Sequence, residues 1–82
     1  MWKYTIQVDG MVCGMCESHV NDAVRRAFVV KKVTSSRSKG ETTVIADQQL
    51  DKDALGSTIA ATGYQVGQIT EEPWEKKGLF GR

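Results

Sequence analysis

Cys13 and Cys16 are the only cysteines in this 82-residue sequence, and two residues, Gly14-Met15, separate them. Gly10-Met11-Val12 runs directly in front. Thiolates are nucleophiles, redox groups and soft metal ligands, so a Cys-x-x-Cys pair has three candidate chemistries: metal binding, disulfide exchange, or none if both thiols are incidental core residues. Two sulfurs bonding one ion from opposite sides at about 2.3 Å each sit about 4.6 Å apart. A cysteine in a loop and another at the start of a helix can reach that span. With no harder donor beside them, two sulfurs select copper(I) by softness. Low coordination leaves such an ion open to attack by a partner's thiolate, so the ion can be passed on by ligand exchange.

The flanking pattern supplies the loop and the helix. Trp2, Tyr4, Ile6 and Val8 alternate with Lys3, Thr5 and Gln7, the period of a half-buried strand over 2–8. Asp9-Gly10 ends it, and a loop over 10–14 leads to Cys16. From Cys16 to Phe28 the period becomes helical, with Val20, Ala23, Val24, Ala27 and Phe28 on one face. Glu17 falls in the first turn and Arg25-Arg26 near the end, each suited to the helix dipole. The thiols therefore lie beside unpaired N–H groups at the positive end of a helix, which favours thiolate over thiol.

The rest of the chain completes an alternating order. The β-branched run over 29–36 predicts a second strand, 37–40 a hairpin loop, and 41–46 a third strand. Asp51 is placed to cap a second helix whose buried stripe is Leu55, Ile59 and Ala60, and Gly63 to stop it. Residues 64–69 alternate again as a fourth strand. The order βαββαβ predicts an α+β ferredoxin-like sandwich: a four-stranded antiparallel sheet with two helices on one face. Residues 1–70 form the domain on this reading. Residues 71–82 carry the only proline and much charge, and read as a loosely ordered tail in which Trp74 and Leu79-Phe80 are the apolar elements.

Composition narrows the function. The net charge is +1, so no global charge points to nucleic acid or an anionic membrane. No apolar run approaches the roughly 18–20 residues that span a bilayer. No basic start followed by an apolar stretch marks a secretory signal, so the expected location is the cytoplasm, where thiols stay reduced. Neither membrane spans nor a nucleotide-binding segment are visible, so a transport pump is not expected from this chain.

Gly10-Met11-x-Cys13-x-x-Cys16 on a βαββαβ pattern resembles the heavy-metal-associated domain family, over about residues 3–69. The family includes copper chaperones, N-terminal domains of metal-transporting P-type ATPases, and mercury-binding proteins. The resemblance implies that Cys13 and Cys16 are the metal ligands and Met11 a buried prop under the loop. Gly63-Tyr64 resembles the family's Gly-aromatic element, which implies that Tyr64 shields the sulfurs. It also implies copper(I) as cargo and a metal-transporting P-type ATPase, or another metal-accepting protein, as partner to a monomer that can share an ion with a second copy.

Alternatives remain at this stage. Met15 reads as an exposed loop residue and His19 as a solvated helix residue, and either is an auxiliary ligand on the second reading. A zinc, cadmium or mercury carrier on the same scaffold is the main rival. Zinc prefers four ligands, which would require Asp9, Glu17, His19 or a second chain, and Val12 offers no oxygen. A thiol–disulfide oxidoreductase is the remaining class; thioredoxin-like folds set a cis-proline against the motif, whereas the sole proline here is Pro73.

Overall fold

Pairing along the first strand organises the molecule. In the computed structural model, which describes residues 1–11 and 14–74, β1 (Trp2–Asp9) is hydrogen-bonded on both sides. It is followed by α1 (Gly14–Ala27), β2 (Lys32–Ser36), β3 (Glu41–Ala46), α2 (Lys52–Ala60) and β4 (Gln65–Pro73). The sheet order is β2-β3-β1-β4 and every pairing is antiparallel. This is the ferredoxin-like βαββαβ architecture that the periodicity predicts.

One core lies between the sheet and the helices. Tyr4, Ile6 and Val8 of β1 meet Val33 of β2, Val44 of β3, Val20 and Val24 of α1, and Leu55 and Ile59 of α2, all buried. Each full burial of such a side chain is worth about 1.5–3 kcal/mol. Asp51 caps α2 by accepting the Asp53 amide at 2.9 Å. Gly63 takes φ +105° just beyond that helix, a value that suits glycine.

Several boundaries differ from the sequence reading. Helix α1 begins two residues earlier, at Gly14, so Cys16 sits inside its first turn. Strand β2 begins at Lys32 rather than Val29, and Val29 is 94% exposed. β-Branched composition favours a strand there, but β3 ends at Ala46 and leaves residues 29–30 no partner; the ladder is approached by the Lys31 amide on the Ile45 carbonyl at 2.7 Å. Ala60 is exposed, not part of the buried stripe, because it lies too far round the helix from Leu55. Gly56 takes the place beside β4 instead: a methyl group there would meet Ile69 Cδ1 at 3.2 Å.

The largest difference is in β4, which continues past Ile69 to Pro73 and so runs through the expected domain boundary at residue 70. Glu71 pairs with Tyr4, Glu72 with Lys3, and Pro73 with Trp2, and the Trp74 amide reaches the Met1 carbonyl at 3.0 Å. The full length of β1 offers backbone partners, and those outweigh the low strand propensity of a charged segment. Pro73 is tolerated because it ends an edge strand. The rest of the expected tail, 75–82, lies outside the described residues.

Tyr4 explains how the extension is held. Its buried hydroxyl donates to Glu71 Oε2 at 2.6 Å and accepts the Leu50 amide at 2.6 Å. It thereby ties β1 to β4 and to the connection ahead of α2. Burial, with the bond to Glu71, raises the Tyr4 pKa, and the same bond lowers that of Glu71. Tyr4→Phe removes the hydroxyl and strands the Leu50 amide, so urea unfolding should show a loss of about 1–3 kcal/mol. A carboxylate lowered in the folded state stabilises above its unfolded value and loses that contribution as pH falls through the folded value. The gap in urea midpoint between wild type and Glu71→Gln should therefore be full at neutral pH and close on acidification; a gap independent of pH would contradict this assignment.

Candidate metal centre

Strand β1 delivers the motif to one end of the sheet. Gly10 follows its last residue with φ +104°, in the left-handed region that glycine enters without strain. A methyl group at Gly10 would also meet the Tyr64 ring, 3.2 Å from Cδ1. Met11 then turns inward and is buried in the core cluster at 6% exposure. The chain thus leaves the strand through a glycine packed under an aromatic ring and is pinned by a methionine one residue later.

Cys16 occupies the first turn of α1, half-buried and packed against the core. Val20, one turn on, is fully buried, so the face of α1 that carries Cys16 is the face turned towards the sheet. Cys13 lies outside the described residues, as does Val12; in sequence Cys13 immediately precedes the first residue of α1. Tyr64, between α2 and β4, is half-buried against the same core. The structure therefore brings Gly10, Met11, Cys16 and Tyr64 to one end of the molecule.

The two auxiliary candidates are both exposed. Met15 is 70% exposed, and His19 is exposed on α1. Among the described residues, no three of His, Cys, Asp and Glu gather into a group able to hold a metal. Asp9 is exposed at the end of β1. Glu17 faces the β2–β3 hairpin: its Oε2 accepts the Arg37 amide at 2.7 Å, and its Oε1 lies 3.8 Å from Arg37 Nη1. That tether joins residues far apart in sequence, and no local pattern announces it. The role of Gly10 had a visible signal, the Asp9-Gly10 step that closes an alternating strand.

α1 is also fastened along its length. Ser35 on β2 is buried; its hydroxyl donates to Asn21 Oδ1 at 2.7 Å and lies 2.9 Å from Thr42 Oγ1 on β3. Buried polar groups need partners, so this chain of hydroxyls and amide restricts how α1 can slide on the sheet.

No helix among the described residues is long and apolar enough to cross a membrane. No protein-family model matches the chain. Among curated proteins, a mercuric reductase of Staphylococcus aureus is 35% identical over 81 residues, 98% of this chain and 14% of that protein. A mercuric reductase of Serratia marcescens is 28% identical over 78 residues, 94% of this chain and 17% of its own length. The chain thus spans only a small part of the curated relatives it matches. Among solved structures, a copper-binding domain from HMA7, a P-type ATPase, superimposes with TM-score 0.78 at 24% identity, covering 90% of this chain and all of that one, which shows the fold. The CopZ metallochaperone gives 0.72 at 26% identity, covering 79% and 98%. The N-terminal domain of ZntA in its Zn(II) form gives 0.72 at 25% identity, covering 92% and 97%. The chain thus has the ferredoxin-like fold of the heavy-metal-associated domains among its structural neighbours.

Proposed function

We propose that this chain is a metal-binding domain that carries a soft ion, copper(I) foremost, between the thiolates of Cys13 and Cys16 and hands it to an acceptor by ligand exchange. The observation that carries this reading is the position of Cys16. It stands in the first turn of α1, where unpaired backbone N–H groups and the helix dipole stabilise a thiolate. Cys13 precedes it by three residues, close enough in sequence for both sulfurs to reach one ion. The acceptor is a metal-transporting P-type ATPase or another metal-accepting protein, in keeping with the CopZ and HMA7 likenesses. The role is binding and transfer, not catalysis.

A second reading has its own support. The curated relatives are mercuric reductases, and mercury(II) shares the preference of copper(I) for two thiolates. On that reading the acceptor is a thiol-bearing enzyme site. Zinc is favoured less by the donors in view, since among the described residues no three His, Cys, Asp or Glu side chains gather to hold it.

Met11 and Tyr64 support the loop in this scheme. Met11 fills the core beneath it, and the Tyr64 ring covers Gly10 and limits water around the sulfurs.

Anaerobic titration against a chromophoric copper(I) chelator should show one copper bound per chain, with the tight site lost in a Cys13→Ser/Cys16→Ser variant. Weak binding, or binding that survives that variant, would remove the carrier reading. Parallel titration with mercury(II) and zinc(II) ranks the cargoes. Gly10→Ala forces a side chain into the left-handed region and against Tyr64, so thermal unfolding should show a loss of about 1 kcal/mol or more. Metal affinity should drop with it, because the loop's exit from β1 shifts.

A further inference from the structure

We propose that the open face of the sheet is an interface between two copies of this chain, packed face to face about a two-fold axis that runs along a row of threonines. Strand alternation gives the sheet two faces, and the core takes one of them. Among the described residues, no element covers the other. Its middle row is Thr34, Thr43, Thr5 and Thr70, one from each strand and paired in register from β2 to β4. A row that only faces water accepts any polar side chain. Four β-branched threonines in line make a level, uncharged strip instead, and such pairs stabilise one another across strands.

Charge is confined to the rows on either side. Lys32, Ile45, Lys3 and Glu72 share the row nearer the start of β1. Ser36, Glu41 and Gln7 share the row nearer the β2–β3 hairpin. Among the described residues, Lys3, Lys32 and Glu41 have no ion pair. A two-fold axis along the threonines reverses the strand direction, so each outer row of one copy lies over the opposite outer row of the other. Glu41 of one copy then sits over Ile45 of the second, with Lys3 and Lys32 on its two sides. Symmetry makes this contact twice. An axis along the strands would instead set Lys3 beside Lys3 and Glu41 beside Glu41, and like charges disfavour it.

Ile45 supplies an apolar contact. It is 7% exposed although it points away from the core, and it is the one buried residue in those three rows. The methylenes of Glu41 would rest on it while the carboxylate reaches the lysines. Threonine over threonine lets the two sheets approach to the usual spacing of about 10 Å, with strands crossing at about −30°. Four short strands offer less than the ~800 Å² per copy of a standard interface, so the dimer belongs to the weak, reversible class. It needs no metal, unlike the shared-ion pair that the family resemblance implies.

Sedimentation velocity on metal-free protein, with a chelator and a reductant present, tests this. Wild type should show a monomer–dimer equilibrium with a Kd of about 10⁻⁴ M, the weak end of specific association, over a concentration series that brackets it. Glu41→Lys replaces attraction by repulsion at both contacts and should weaken the dimer about tenfold or more; Lys3→Glu/Lys32→Glu should do the same. An equimolar mixture of these two variants restores opposite charges and should return dimer to the wild-type level. Thr43→Arg, at the centre of the row, should abolish it. Circular dichroism melts check that each variant is folded. Cys13→Ser/Cys16→Ser should dimerise like wild type, which separates this face from a metal-bridged pair and the inference from the carrier reading. Wild type that stays monomeric across the series, whether because residues 75–82 take the face or because nothing does, would overturn the inference. A mixture no better than either variant alone, or a dimer lost with the cysteines, would do so too.

Discussion

Strand β1 has to bury one of its edges' worth of side chains under both helices while giving its backbone to neighbours on both sides. Tyr4, Ile6 and Val8 are almost wholly buried, and β3 and β4 take the two edges. A one-residue slip would expose all three apolar side chains and bury Lys3, Thr5 and Gln7. Register is therefore strongly specified, and the end of β1 is the one place from which the cysteine motif can start. The position at which the cysteine motif begins follows from the burial of these three residues.

Polar groups inside this frame act as registration pins. Tyr4 could have been phenylalanine for volume alone. Its hydroxyl instead joins three segments of chain, through Leu50 and Glu71, at the end of β1 opposite the cysteine motif. Asn21, Ser35 and Thr42 do the same for α1 over β2 and β3. Each set is satisfied internally, so it costs little in desolvation and discourages other packings that would leave it unpaired. Fixing α1 matters for chemistry, because the first turn of that helix carries Cys16.

At the end where the cysteine motif begins, the surroundings are made from distant parts of the chain. Tyr64 arrives from the connection after α2 and lies over Gly10. Arg37 arrives on the β2–β3 hairpin and engages Glu17. The contacts are small, yet they join the end of β1 and the first turn of α1 to segments far along the chain.

The order of elements, the two faces of β1, the cap at Asp51 and the placement of the cysteines at a strand–helix junction were all readable in the sequence, since each depends on neighbours within a few residues. Periodicity and capping are local physics. The end of β4 was not readable: Glu71, Glu72 and Pro73 have poor strand propensity, and only the waiting edge of β1 recruits them. The late start of β2 has the same cause in reverse, a favourable composition with no partner strand beside it. The Tyr64 ring over Gly10, the Tyr4 bonds and the Glu17 tether link residues 20 to 67 positions apart, and such pairs exist only once the sheet has chosen its order. The sequence by itself determined the order of the elements and which of them carry the candidate residues; the tertiary structure decided what surrounds the described ones, because long-range pairing, not local preference, sets who meets whom.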